Sequence, residues 1–156
     1  MKPEYQALIA RIESSAQAVR RAVGDAPPHR FGVVPKPGEW SALETLTHLC
    51  MVVVHVFGTR IRRLLYETAP EFPDFDEATF RRESLARGDS QAWLLETAVA
   101  EHLQLARLLR MLPDSDWARE GRHPTLGPMS IEALARRIGE HAEEHAAQIT
   151  AAARAG

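Results

Sequence analysis

The chain has 156 residues, of which 45% are hydrophobic and 26% are charged, and its formal net charge is −2 at pH 7. This length and composition suit an ordinary globular protein, so we expect residues 1–156 to form a single domain around one core. The slightly negative charge argues against a nucleic-acid-binding protein that depends on a broad basic surface.

Apolar residues recur at helical spacing through most of the chain, and strand-type alternation is rare. The first such stretch predicts a helix over residues 3–23, ended by Gly24 and the prolines that follow it. Ser41, with Glu44 three residues later, has the spacing of a capping box and predicts a second helix over 41–67. The middle of that helix is apolar on nearly every face, so we expect it to be the most buried element.

The second half of the chain predicts two more helices between long connections. Residues 68–89 are rich in Pro, Asp and Arg and predict a long loop, with a short helix near 77–84. Serine N-caps predict a third helix over 90–112 and a fourth over 130–154. Four helices of this length with two long connections describe an all-α four-helix bundle.

Two histidines, His141 and His145, lie four residues apart in the fourth predicted helix and therefore project from one face. They continue an inward seam with steps of three and four residues: Ile131, Leu134, Ile138, His141, His145 and Gln148. Buried imidazoles without partners are costly, and a metal ion bound by both would remove that cost. The zinc-protease motif H-E-x-x-H is excluded, because Ala142 stands where its glutamate would be.

A metal ion in a bundle needs at least one more ligand, and three other histidines are candidates. His48 and His55 lie on one stripe of the second helix, two turns or about 10 Å apart, so they cannot both bind the same ion. His102 lies on the inward stripe of the third helix and competes with them. For His55 and His102 we favour the alternative, a core histidine bonded to a backbone carbonyl. His29 and His123 stand in loops beside prolines, where we expect exposure.

Five segments resemble the DinB-like (YfiT-type) metal-binding four-helix bundle family, in the order in which the family has them. They are PGEWSALETLTHL, TRIRRLL, FPDFDE, LPDSDWAREGRHPTLGPMSIEAL and GEHAEEHAAQI, and the resemblance extends over residues 35–149. In that family the histidine of an H-L pair on the second helix joins an H-x-x-x-H pair on the fourth. The resemblance therefore implies His48, His141 and His145 as ligands of one divalent metal ion, which could be Zn, Ni, Fe or Co.

The chain departs from the family pattern at positions where members carry acids. Members often have H-L-x-D-x-E, whereas Met51 and Val53 occupy the acidic positions here. Ala142 likewise replaces an acid after the first histidine of the last helix. Such carboxylates can orient metal ligands or accept protons. Their replacement makes the surroundings of the three histidines more apolar.

The resemblance implies a metal-dependent transferase, since characterised members of the family use low-molecular-weight thiols. An open metal site would hold such a thiol as thiolate and deliver it to an electrophilic small molecule. We expect His55 to be the catalytic residue that carries a proton, because imidazole titrates near physiological pH. We also expect Trp40 and Trp117 to fold over one end of the bundle and wall the metal site.

The alternative is a non-enzymatic metal-binding or stress-associated interaction module, in which the histidine site is structural or vestigial. The missing acids favour it, and both alternatives fit the homodimer that the resemblance implies. We expect neither a nucleic-acid partner nor a membrane span, since the longest apolar run covers only residues 49–54. The single cysteine, Cys50, excludes an intrachain disulfide, and no signal peptide is visible, so we expect a cytoplasmic protein.

Overall fold

The structure, a computed structural model, describes residues 1–155. Its helices are α1 (Pro3–Gly24), α2 (Ala42–Val52), α3 (Thr59–Tyr66), α4 (Glu77–Arg87), α5 (Gln91–Arg110) and α6 (Ile131–Arg154). A π-helical segment, Val53–Gly58, joins α2 to α3, so that the two form one long helix. The remaining elements are 3₁₀ turns at Pro28–Arg30 and Asp114–Ala118 and a hairpin of β1 (Glu120–His123) and β2 (Gly127–Ser130).

Helices α1, α2–α3, α5 and α6 form a four-helix bundle, as the sequence predicts. α1 packs against α5 and α6, and α2–α3 contacts the same two helices. Arg11 in α1 bonds Glu143 in the middle of α6, and Arg30, beyond the end of α1, bonds the Ala155 carbonyl beyond the end of α6. α1 and α6 therefore run parallel.

α5 runs in the opposite direction to α1. Glu13 pairs with Arg110 near the end of α5, whereas Arg20 pairs with Glu96 near its beginning. These ion pairs are exposed and screened by solvent, so they contribute little to stability. The stability of the bundle therefore comes mainly from the apolar side chains buried between the helices, which include Ile9, Ile12, Leu46, Leu49, Leu105, Leu109 and Ile138.

The long helix α2–α3 also runs antiparallel to α6. Thr45 in the first turn of α2 lies near Ala152 at the end of α6, and Arg60 in α3 contacts Met129 just before α6 begins. The helices thus run up, down, down and up along the chain. Because α2–α3 and α5 are parallel, the connection between them must travel back along the bundle. α4 lies in this connection and packs against α2.

The predicted helix starts are confirmed by their caps. Ser41 Oγ accepts a hydrogen bond from the Glu44 N–H at 3.1 Å, and the Glu44 carboxylate accepts one from the Ser41 N–H at 2.9 Å, which completes the capping box. Ser90 and Ser130 also accept hydrogen bonds from the backbone N–H three residues later. The cap residues therefore fix where three of the four bundle helices begin.

The connections are more ordered than the sequence predicts. α4 extends to Arg87, beyond the short helix expected near 77–84. The loop before α6 contains the β1–β2 hairpin, which was not predicted because its sequence does not alternate apolar and polar residues. Gly127 at its turn has φ +78°, a conformation that favours glycine.

The helix Ala42–Tyr66 is long and apolar enough, by length and composition, to cross a membrane. In the bundle, however, 72% of its most apolar 18-residue window is buried. The apolar side chains of this helix therefore pack within the bundle, against α5 and α6. This burial agrees with the sequence-based expectation.

Candidate metal centre

Three imidazoles converge where α2 faces α6. His48 projects from α2, and His141 and His145 project from α6. The Nε2 atom of His141 lies 3.0 Å from Nε2 of His48 and 3.0 Å from Nε2 of His145. All three side chains are buried. The structure therefore brings together the three histidines that the family resemblance selects.

Helix geometry accounts for this convergence. His141 and His145 are four residues apart, so they lie about one turn apart on one face of α6. Ile131, Leu134 and Ile138 precede them on that face and are buried, as the predicted seam requires. Since α2 runs antiparallel along this seam, its single inward histidine meets the pair.

Burial keeps the three imidazoles neutral at pH 7. It lowers the pKa of His48 to about 4 and the pKa of His141 to about 2, and it also lowers the pKa of His145. Nearby positive charge adds to the effect, because the Arg81 guanidinium further lowers the pKa of His48. Neutral imidazole is the form that offers its lone pair to a metal ion.

The three nitrogens fit a divalent metal ion. Two nitrogens 3.0 Å apart can both reach one ion at bond lengths of about 2.0–2.1 Å. Without an ion, the hydrogen bonds of these Nε2 atoms are made only to one another within residues 1–155. Three protein ligands also leave coordination positions open, as catalytic metal sites do.

A hydrogen bond to Gln148 fixes the orientation of His145. The Oε1 atom of Gln148 lies 2.6 Å from His145 Nδ1, so Nδ1 carries the proton and donates it to the amide oxygen. The lone pair of Nε2 is then directed toward His48 and His141. The sequence places Gln148 next on the seam but does not predict this contact.

Trp40 and α4 contact His48. The ring of Trp40 is partly buried, and its centroid lies 5.2 Å from that of His48, so this tryptophan walls the site as predicted. Arg81 lies 4.5 Å from the Trp40 ring centre and bonds Glu44 at 3.1 Å. Glu77 Oε1 comes within 3.0 Å of His48 Nδ1, although the two atoms form no hydrogen bond. No spacing in the sequence predicts the approach of α4.

A cleft of about 650 Å³ opens to solvent beside His145. Trp40 and Thr45 lie on one side of it, and His145 and Gln148 lie on the other. The remaining wall is formed by small and loop residues: Pro35, Lys36, Gly38, Glu39, Ala151, Ala152 and Ala155. A small molecule in this cleft would reach the histidine cluster from the end of the bundle where α6 terminates.

His55 lies outside the cluster. Its side chain is exposed, and its ring centroid is 5.2 Å from that of Phe80. The expectation that it is a core histidine is therefore wrong, while its proton-carrying role stays a prediction. The π-helical segment explains the difference, because it adds one residue to the turn. The buried stripe that includes His48 and Val52 continues at Val56 and Arg60 rather than at His55.

The other histidines have structural surroundings. His102 is buried, and its Nδ1 bonds the Ala98 carbonyl at 2.7 Å, which confirms the expected core histidine. His29 is exposed, as expected. His123 is buried, contrary to the expectation, because its Nδ1 accepts hydrogen bonds from the N–H groups of Thr125 and Leu126 in the hairpin turn.

Trp117 does not wall the metal site, so that half of the prediction is wrong. The residue is fully buried, and its ring stacks on Tyr5 with centroids 4.1 Å apart. The nearby Arg119 carbonyl accepts a hydrogen bond from the Ile131 N–H at the start of α6. His141 follows ten residues later (131 to 141), about 15 Å along the helix.

Comparisons with known proteins agree with this fold. The structure is similar to that of YfiT from Bacillus subtilis, a protein described as a probable metal-dependent hydrolase with an unusual four-helix bundle topology. The TM-score is 0.87 at 21% sequence identity, and the match covers 99% of this chain and 89% of YfiT. No curated protein matches the sequence significantly. Residues 11–149 match the model of the DinB superfamily, to which this chain therefore belongs.

Proposed function

We propose that His48, His141 and His145 bind one divalent metal ion and that the protein uses it to transfer a small thiol to an electrophilic metabolite or toxicant. The observation that carries this proposal is the convergence of three buried, neutral imidazoles beside an open cleft. Membership of the DinB superfamily and the likeness to YfiT also support a metal-dependent protein.

Bound there, a divalent ion would supply a Lewis acid with open coordination positions, which lowers the pKa of a thiol or of water. The protein contributes the geometry. Gln148 holds His145 in one tautomer, and the packing of α2 against α6 holds His48 opposite the pair. Burial keeps all three imidazoles unprotonated at neutral pH.

The acids around the cluster favour a thiol over water as the nucleophile. Within residues 1–155, Glu77 is the acid that pairs with one of the three histidines, and it does so at Nδ1 of His48 rather than at an Nε2 atom. Activation of water commonly uses a general base beside the nucleophile. A thiol needs less help, because coordination to a metal ion deprotonates it outright, whereas metal-bound water keeps a pKa of about 7 and is only partly deprotonated at neutral pH.

The cleft supplies a site for the electrophile. Trp40 and the alanines at the end of α6 offer apolar surface next to His145. In the proposed reaction a thiol R–SH and an electrophile R′–X give R–S–R′ and H–X. The S–C bond forms, the C–X bond breaks with its electron pair, and the thiol proton leaves with X or through water in the cleft.

Two other functions have support. Hydrolysis is favoured by the likeness to YfiT, and the open coordination positions would accept water as readily as a thiol. A non-enzymatic metal-binding or stress-associated module is favoured by Met51, Val53 and Ala142, which stand where acids are common in the family.

We also propose that the protein is a cytoplasmic homodimer with a small-molecule substrate.

One set of assays distinguishes the three candidate functions. The protein is loaded in turn with Zn, Ni, Fe and Co, and each form is assayed for conjugation of several thiols to generic electrophiles and for ester and amide hydrolysis. The His145→Ala variant is the control. Metal-dependent conjugation that this variant lacks supports the transferase, and hydrolysis alone supports a hydrolase. If no metal form shows either activity, the result supports the non-enzymatic binding module.

A further inference from the structure

We propose that Glu77 is a positioning residue for His48 and holds its Nε2 atom toward the metal ion by accepting a hydrogen bond from Nδ1–H. This inference rests on the proposed metal site. It assigns to α4, an element outside the bundle, a part in metal binding.

The contact between the two side chains is the first observation. Glu77 Oε1 lies 3.0 Å from His48 Nδ1. That Nδ1 atom is buried and has no hydrogen-bond partner within the part of the chain that the structure describes. The Glu77 side chain is 44% exposed, so it has room to turn the carboxylate into line with the N–H. No competing partner must be displaced from Nδ1 for this bond to form.

The way in which α4 is held in place is the second observation. The Asp76 carboxylate caps the helix by accepting a hydrogen bond from the Thr79 N–H at 3.0 Å. Arg81 follows Glu77 by one turn and is fixed by Glu44 and by the Trp40 ring. These contacts lie on the same face of α4 as Glu77, because the spacing is four residues. They hold that face, and with it Glu77, against the beginning of α2.

Ser84 lies at the far end of the same face. It is buried, and its hydroxyl donates a hydrogen bond to Asp89 at 2.7 Å. Residues 77, 81 and 84 therefore form one inward stripe on a helix whose other residues, apart from the partly buried Thr79, are exposed. A stripe of two charged residues and a serine does little to stabilise the fold by apolar burial. The contacts of Glu77 and Arg81 are with His48, Glu44 and Trp40.

The three proposed ligands differ in how their rings are fixed. Gln148 accepts the Nδ1 proton of His145. The ring of His141 packs edge to face on Phe57, with centroids 5.4 Å apart. For His48 the proposed orienting partner is the carboxylate of Glu77. A carboxylate at the second nitrogen of a ligating imidazole fixes the tautomer and makes the first nitrogen a stronger donor. Glu77 thus supplies from α4 an acid that residues 51 and 53 do not supply from α2.

The test measures metal affinity directly, without any thiol substrate. The dissociation constant for Co²⁺ is determined by competition with a chromophoric chelator in the full-length protein, in E77A, in E77Q and in E83A. Glu83 is the matched control, because it is exposed on the same helix. Circular dichroism and thermal unfolding of the metal-free variants check that each is folded.

We expect E77A to weaken Co²⁺ binding by about 10–100-fold, which is the usual effect of losing such a partner. E77Q should restore part of the affinity, since its amide oxygen still accepts the Nδ1 proton. The absorption bands of bound Co²⁺ should shift in E77A, because the His48 ring is no longer held in one orientation. E83A should bind Co²⁺ as the unmodified protein does.

Co²⁺ affinity in E77A within twofold of the unmodified protein would overturn the inference, as would an equal loss in E83A. An unmodified protein that binds no Co²⁺ would overturn both this inference and the proposed metal site. A protein that binds Co²⁺ and shows the E77A defect but transfers no thiol would overturn only the proposed transferase. The failures of the two proposals can therefore be told apart.

Discussion

The Nε2 atoms of His48 and His141 lie 3.0 Å apart, although 93 residues separate the two histidines in the chain. Neither residue could be moved by one position without losing this contact, because a shift of one residue rotates a helical side chain by about 100°. The contact therefore depends on the antiparallel packing of α2 against α6. His145, one turn from His141, adds the third nitrogen at the same 3.0 Å distance.

Gln148 should contribute to metal affinity without touching the ion. Gln148→Ala removes the acceptor of the His145 Nδ1 proton and should weaken metal binding by about tenfold. Chelator competition measures the change. Arg136→Ala is the control, since Arg136 is exposed on the same helix and pairs only with Glu132 among the described residues. Equal affinities in the two variants would contradict an orienting role for Gln148.

The metal-free protein should lose stability as the pH falls below about 6.5. Histidine has a pKa near 6.5 in an unfolded chain, whereas burial lowers the folded pKa of His48 to about 4. The unfolded state thus binds more protons between these values. The corresponding stability is fully present above pH 6.5 and is lost as the pH falls toward 4.

Urea unfolding of the metal-free protein at several pH values between about 7.5 and 4.5 measures this loss. The His48→Gln variant should show a shallower decline in the free energy of unfolding, because one of the buried imidazoles no longer titrates. Parallel declines in the variant and the unmodified protein would show that His48 does not contribute.

The thiol of Cys50 should not react in the folded protein. Burial raises its pKa to about 12, and the negative charge of Asp89 adds to the shift. At pH 8 the side chain is therefore a buried, neutral thiol, and the reactive thiolate is scarce. A chromogenic disulfide reagent should modify Cys50 only after denaturant is added. Rapid modification of the folded protein would instead make Cys50 a competing nucleophile in the transferase assay.

Replacement of His55 tests the predicted proton carrier. The side chain is exposed beside Phe80 and is not part of the histidine cluster. We expect His55→Ala to leave metal affinity unchanged, because its ring lies outside the cluster, but to slow conjugation by about 100-fold with a changed pH profile, the usual effect of losing a proton-transferring group. A conjugation rate within about twofold of the unmodified protein, the usual effect of replacing an exposed side chain away from the reacting groups, would show that His55 does not carry the proton.

The parts of the site that follow a regular helical period could be predicted from the sequence. His141 and His145 continue the steps of Ile131, Leu134 and Ile138, and that seam is buried. The residues alone left three candidates for the remaining ligand. The family resemblance selected His48, which the structure places beside the pair. The capping serines also fixed the helix starts, because a cap is a local signal.

The parts that depend on tertiary packing could not be predicted. The π-helical segment displaces His55 from the stripe of His48, and no periodic pattern marks the extra residue in a helix that is apolar on most faces. Glu77 and Arg81 stand in a polar segment with no apolar stripe. They reach His48 and Trp40 only because two parallel bundle helices require a long return connection along α2. The burial of His123 could not be predicted either, because it depends on the hairpin turn whose N–H groups bond its ring.

Metal stoichiometry in single histidine variants tests the central claim most directly. The unmodified protein and its His48→Ala, His141→Ala and His145→Ala variants are loaded with Zn²⁺, desalted and measured by elemental analysis, with His102→Gln as a buried-histidine control. We expect about one Zn²⁺ per chain in the unmodified protein and in the control, and close to none in the three variants, since two remaining imidazoles bind weakly. Unchanged stoichiometry in all three alanine variants would contradict the three-histidine metal site.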